Sequence, residues 1–172
     1  AGFHVAEDGR ANPVDVTMSL ARGAKLAGAR VAEGVSVTDV LTERGAVTGV
    51  RTTARDIECE VVVNCSGMWA RQLGARNGVN IPLQAAEHYY LITEEIPEIS
   101  PDWPVLEDPA SYGYFREEGG GLMLGLFEAV CAPWKVGGIP EDFSFGELPP
   151  DWERMGPYLE TAMQRIPISS EV

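Results

Sequence analysis

The chain has 172 residues, 45% hydrophobic and 23% charged, with 13 basic against 26 acidic side chains for a formal charge of −13. This is globular composition, which excludes fibrous repeats and disorder, and so acidic a surface repels nucleic-acid phosphates and anionic lipid. No apolar run approaches the ~18–20 residues of a membrane span, so neither nucleic acid nor membrane is expected as a partner.

Asn12-Pro13 marks a helix start, with Asn as cap and Pro at the first helical position; Val14, Met18 and Ala21 follow at helical spacing, and Gly28 ends the helix. Residues 30–33 read as a short strand. Residues 36–42 and 47–53 read as a hairpin about Glu43-Arg44-Gly45, with 56–60 a third meander strand. The run Val61-Val62-Val63-Asn64-Cys65 is continuously apolar and predicts a parallel-sheet strand buried on both faces, with Cys65 as a small core residue. Ser66-Gly67 and a short helix over 69–76 follow, a layout that lets a ligand approach the backbone.

After Pro82 the pattern becomes antiparallel, with strands predicted over 85–93, 112–117 and 122–128, the last two joined through Glu118-Gly119-Gly120-Gly121. Residues 95–109 and 131–150, rich in proline, read as long surface connections. Asp151 caps a final helix over 152–165, which Gly156-Pro157 kinks or delays and Pro167 ends. The division falls into residues 1–80 and 81–172. The opening AGFHVAEDGR has neither initiator Met nor a leader-like pattern, and reads as joining a longer protein partway.

Several chemistries find no motif. No GxGxxG or GxxxxGK[ST] is present, no GxSxG elbow, and only His4 and His88 to offer imidazole to a metal. Asn64-Cys65-Ser66 matches a glycosylation acceptor but closes a predicted buried strand. Three cysteines with no CxxC spacing point to a reducing, cytoplasmic setting. The informative cluster is Glu87-His88-Tyr89-Tyr90-Leu91-Ile92-Thr93. On a strand, His88, Tyr90 and Ile92 share one face and Glu87, Tyr89 and Leu91 the other. The same parity puts Tyr112, Tyr114 and Arg116 together, so that imidazole, phenols and a guanidinium line one cavity if the strands share a sheet. Composition alone favours the plainer reading, a half-buried sheet face carrying aromatics.

Longer strings separate these readings. EDGRANPVDVTMSLARGAKLAGARVAEGVSVTDV, GAVTGVRT, VVVNCSGMWARQLG, PLQAAEHYYLIT and YGYFREEGGGLMLGLFE together resemble the D-amino-acid-oxidase-type FAD-dependent oxidoreductases, and within them the dimethylglycine/sarcosine dehydrogenase and oxidase branch. The resemblance implies an α/β (α+β) fold: a partial FAD-binding Rossmann-like domain with a β-meander over 1–80, lacking the N-terminal dinucleotide-binding βαβ unit, and an antiparallel-sheet substrate domain over 81–172. Its partners are then the remaining FAD-domain segments of a longer protein and a small-molecule amine. It places Val37 against the adenine, Cys65, Ser66 and Gly67 beside the ribose and pyrophosphate, and Trp69 at the flavin edge. His88 and Tyr114 stand beside the flavin, with Tyr112 a rival for the tyrosine role and Tyr90 in the pocket. The chemistry implied is oxidation of dimethylglycine or sarcosine to an iminium. Its carbon leaves as formaldehyde or passes to tetrahydrofolate through a domain outside this chain.

Oxidising an N-methylglycine moves two electrons and a proton-equivalent from a C–H next to nitrogen to the flavin; a protonated amine resists that loss, and an imidazole can accept its N–H proton near neutral pH. Arg116, by strand parity, either pairs with the glycine carboxylate or forms a surface salt bridge. Rival readings are another amino-acid or glycerol-phosphate oxidoreductase, and a non-catalytic binding module.

Overall fold

In the computed structural model, which describes residues 2–171, Pro13 opens α1 (Pro13–Leu26). Asp15 in its first turn and Lys25 in its last complement the helix dipole. The helix closes with Ala29 N–H on Ala24 C=O and Gly28 N–H on Lys25 C=O, and Gly28 lies at φ 95°. The described chain forms two units, one from residues 13–86 and 133–146 and the other from the remaining described residues. Among the described residues no helix is long and apolar enough to cross a membrane.

In the first unit, β1 (Val37–Glu43), β2 (Ala46–Thr52) and β3 (Ile57–Glu58) make an antiparallel sheet in that order. Arg44 and Gly45, at φ 52° and 83°, form the two-residue turn that matches the right-handed twist of a hairpin. The strand expected over 30–33 is absent; those residues run into a turn before β1. Residues 61–65 also differ from expectation. They pair with no strand among the described residues, Val61 and Val63 are 76% and 78% exposed, and Cys65 is exposed. A parallel strand must hand its N–H and C=O groups to neighbours, and hydrophobicity cannot substitute for them. A 3-10 turn over Gly67–Trp69 leads into α2 (Ala70–Arg76). Asn77 ties α2 to the sheet, its Oδ1 accepting from Val40 N–H at 2.8 Å and its Nδ2 donating to Leu73 C=O at 2.8 Å. A cavity of about 580 Å³ between them is lined by Val40, Val47, Val62, Leu73, Val79 and Ile81.

The second unit is a four-stranded antiparallel sheet in the order β4-β7-β6-β5: β4 (Tyr90–Ile92), β5 (Leu106–Asp108), β6 (Gly113–Glu118) and β7 (Gly121–Leu126). The first of these is shorter than the predicted 85–93. Gly119 and Gly120, both at positive φ, make the β6–β7 turn. Residues 95–109 are more than a surface connection, because Ile96 and Ile99 are buried and β5 pairs with β6. Pro104 and Pro109 bracket β5, as suits an edge strand. Asp151 caps α3 (Trp152–Arg165), its Oδ1 accepting from Arg154 N–H at 3.0 Å. The helix starts at Trp152 without delay and runs through Pro157. Met155 and Ala162 of α3 join Phe115, Leu122, Leu124, Leu126, Ile96 and Ile99 in the core.

Candidate functional site

The strand register builds the face opposite this core. Tyr90 and Tyr114 both stand opposite Gly125, one on each side of β7, and Ile92 and Arg116 both stand opposite Met123. A Cβ at position 125 would overlap the Tyr114 ring, so the glycine is what lets that phenol lie flat across β7. The ring then reaches His88, whose Nε2 is 3.3 Å from the hydroxyl. The hydroxyl donates when Nε2 is unprotonated and accepts when Nε2 carries hydrogen. Phe127, 63% exposed, lies 4.9 Å from the Tyr114 ring centre and 5.7 Å from that of His88. Burial raises the Tyr114 phenol above its ordinary value and Tyr90 and Glu128 push the same way, while Arg116 opposes them, so the hydroxyl keeps its proton at neutral pH.

His88 and Tyr114 are therefore brought together, with Tyr90 across the glycine from Tyr114. Tyr112 precedes β6 at φ 56°, an unusual conformation for a non-glycine residue, so simple strand alternation does not describe it. Arg116 carries the salt bridge: its Nη2 lies 2.6 Å from Glu118 Oε2, and its Nε donates to Met123 Sδ at 3.3 Å. Phe127 escaped the sequence reading, although carrying the parity of Met123 and Gly125 two residues on would have found it.

In the other unit, Val37 begins β1 opposite Thr52. The turn after Val63 is organised by Asn64, whose Oδ1 accepts from Ser66 N–H at 3.2 Å and whose Nδ2 donates to Ala70 C=O at 3.1 Å. Cys65 is exposed, and Gly67 sits at φ 54° with open space where a Cβ would project. Trp69 follows, its Nε1 donating to Pro140 C=O at 2.9 Å. Asn64 is thus the residue that shapes the turn, a role its glycosylation pattern conceals.

Comparison with known proteins shows the family. The family model described as DAO, FAD dependent oxidoreductase, matches residues 1–172. The chain is 37% identical, over 94% of its length, to 4-methylaminobutanoate oxidase (formaldehyde-forming) of Paenarthrobacter nicotinovorans, covering 19% of that protein. It is 32% identical to mouse mitochondrial dimethylglycine dehydrogenase over 98% of the chain and 20% of that protein. Against the mouse mitochondrial pyruvate dehydrogenase phosphatase regulatory subunit it is 35% identical, over 96% of the chain and 19% of that protein. The chain thus spans about a fifth of these relatives' length. In fold it is similar to L-proline dehydrogenase from P. horikoshii, with a TM-score of 0.67 and 24% identity over 90% of this chain and 39% of that one.

Proposed function

Since the chain belongs to the DAO family of FAD-dependent oxidoreductases, we propose that the protein carrying it oxidises N-methyl amines such as dimethylglycine or sarcosine. The observation that carries this reading is the His88–Tyr114 pair, an imidazole and a protonated phenol 3.3 Å apart on one sheet face beside Phe127. A protonated amine holds its lone pair in an N–H bond and resists oxidation. In this proposal the His88 Nε2–H donates to the Tyr114 hydroxyl, which fixes the ring, and Nδ1 takes the amine proton. Tyr90 and Phe127, 56% and 63% exposed, flank the pair on that face. Arg116 is already paired with Glu118, so a substrate carboxylate would have to share or displace that partner.

FAD supplies the two-electron acceptor when bound. The turn fits one wall of such a site: Gly67 offers open space in place of a side chain, and Asn64 fixes the backbone around the exposed Cys65. We assign Val37, Cys65, Ser66, Gly67 and Trp69 to holding the cofactor, together with segments outside this chain.

The test is anaerobic bleaching of the full-length protein's visible absorption. Dimethylglycine, sarcosine and 4-methylaminobutanoate should bleach it, and glycerol phosphate should not. Bleaching by glycerol phosphate alone would overturn the amine reading. A second reading, a regulatory member without catalysis, draws on the similarity to the phosphatase regulatory subunit; a protein whose spectrum no amine bleaches would favour it.

A further inference from the structure

His88 is not held by the sheet ladder. Pairing of β4 with β7 begins at Tyr90 opposite Gly125, and residues 87–89 lie before it. Glu87 N–H on Ala132 C=O, at 2.9 Å, is a backbone tie just ahead of His88. The flanking side chains point away from His88 and converge on one group beneath. Arg154 Nη2 lies 3.0 Å from Glu87 Oε2, the same oxygen that accepts from the Tyr89 hydroxyl at 3.0 Å. The guanidinium also lies over the Tyr89 ring, 5.2 Å from its centre, and Nη2 is 2.8 Å from Asp151 Oδ2. Asp151 in turn caps α3.

We propose that Arg154 is a positioning residue for His88, clamping Glu87 and Tyr89 from the core side so that the imidazole between them stays within reach of Tyr114. This rests on the reading that His88 serves the amine oxidation. The clamp is stiff for a physical reason. The Arg154 side chain is 22% exposed, and its Nη1 is buried without a hydrogen-bond partner among the described residues. A charge held that dry depends on its carboxylates, and those carboxylates depend on it. The Glu87 contact also holds Arg154 above its ordinary value, and burial with the same carboxylate raises Tyr89. Arg154 therefore stays charged and the Tyr89 hydroxyl keeps its proton at neutral pH. A purely structural Arg would serve α3 alone, through Asp151. This one reaches on to Glu87 and covers Tyr89, the two residues that bracket His88.

The test is a double-mutant cycle in the full-length FAD-loaded protein with dimethylglycine as probe. R154M should lower the single-turnover bleaching rate about tenfold, a fraction of the 10²–10⁴ typical of an acid–base group, with KM and FAD content within about twofold; R154K should recover part of it. In an H88Q background R154M should cost less than about twofold, because the residue it positions is gone. Equal losses in both backgrounds would overturn the proposal. Y89F, which deletes only the hydroxyl on Glu87, gives the same cycle if R154M fails to fold. An independent readout is the ring resonance of His88 in 13C-histidine-labelled protein, assigned by its loss in H88Q. Y89F and R154K should both move it, and an unmoved signal overturns the clamp. If H88Q leaves the bleaching rate intact, the catalytic reading of His88 falls, while the resonance still decides whether Arg154 fixes the ring.

Discussion

The two units treat their apolar residues in opposite ways. In the four-stranded unit, one sheet face is sealed by Ile96, Ile99 and α3, and Phe115, Leu122 and Leu124 are almost fully buried. In the unit holding α1, that helix has no buried residue, and Val61 and Val63 are largely exposed. The first has its own complement within the described residues. The second buries Val50, Ala70, Leu73 and Ile139 but leaves the apolar residues of α1 and of 61–63 without covering surfaces among the described residues. Hydrophobicity marks where burial is worth having; only a partner supplies it.

That contrast yields the largest expected effect. Phe115→Ala should destabilise the protein by about 3–5 kcal/mol, the range for emptying an aromatic from a packed core. Val63→Ala, removing an exposed side chain, should change stability by less than about 0.5 kcal/mol. Urea unfolding followed by tryptophan fluorescence measures both. A large loss at Val63 would show that its apolar surface is covered in the full-length protein, and would break the contrast drawn from the described residues.

A second comparison lies within the four-stranded sheet, between its packed face and its aromatic one. Gly125→Val places a branched side chain where the Tyr114 ring lies. The ring must leave, and with it the contact to His88. Overpacking should cost about 1–3 kcal/mol in stability, and the bleaching rate should fall about a hundredfold, as for other misplacements near 1 Å. A variant with normal rate would mean that the His88–Tyr114 contact does not serve the reaction.

How far the sequence could be read follows the same division. Elements set by local chemistry were legible: α3 from the Asp151 cap to Pro167, and the hairpins from Arg44-Gly45 and Gly119-Gly120. Period-two parity grouped His88 with Tyr90 and Tyr114 with Arg116; that the two groups meet on one sheet came from the resemblance, because parity says nothing about which strands pair. What failed depended on neighbours. Residues 61–65 have strand-like composition but no partner to pair with among the described residues, and β5 is three residues between prolines, defined by its pairing with β6 rather than by its own propensity. Tyr112 left the parity because its backbone turns to positive φ, which nothing in the side-chain pattern announces.

The smallest expected effect concerns the hairpin of the four-stranded unit. Glu117 is buried, its Oε2 2.7 Å from Arg10 Nη2 and its Oε1 accepting from Gly120 N–H at 3.0 Å. The Arg10 hydrogen bond, then that of Gly120, hold its carboxyl below the ordinary 4.5. A carboxylate lowered in the folded state contributes stability that is present above the unfolded value and lost as pH falls through the folded one. Glu117→Gln should therefore be less stable than the wild type at neutral pH, and the gap should close as pH falls below 4.5. Asp108 is lowered too, by Ser111 and then Arg165, and loses its contribution in the same acidic window in both proteins. The difference between wild type and variant thus isolates Glu117. A gap that stays constant with pH would mean that the variant loses packing rather than charge, and that Arg10 does not hold the hairpin through its carboxylate.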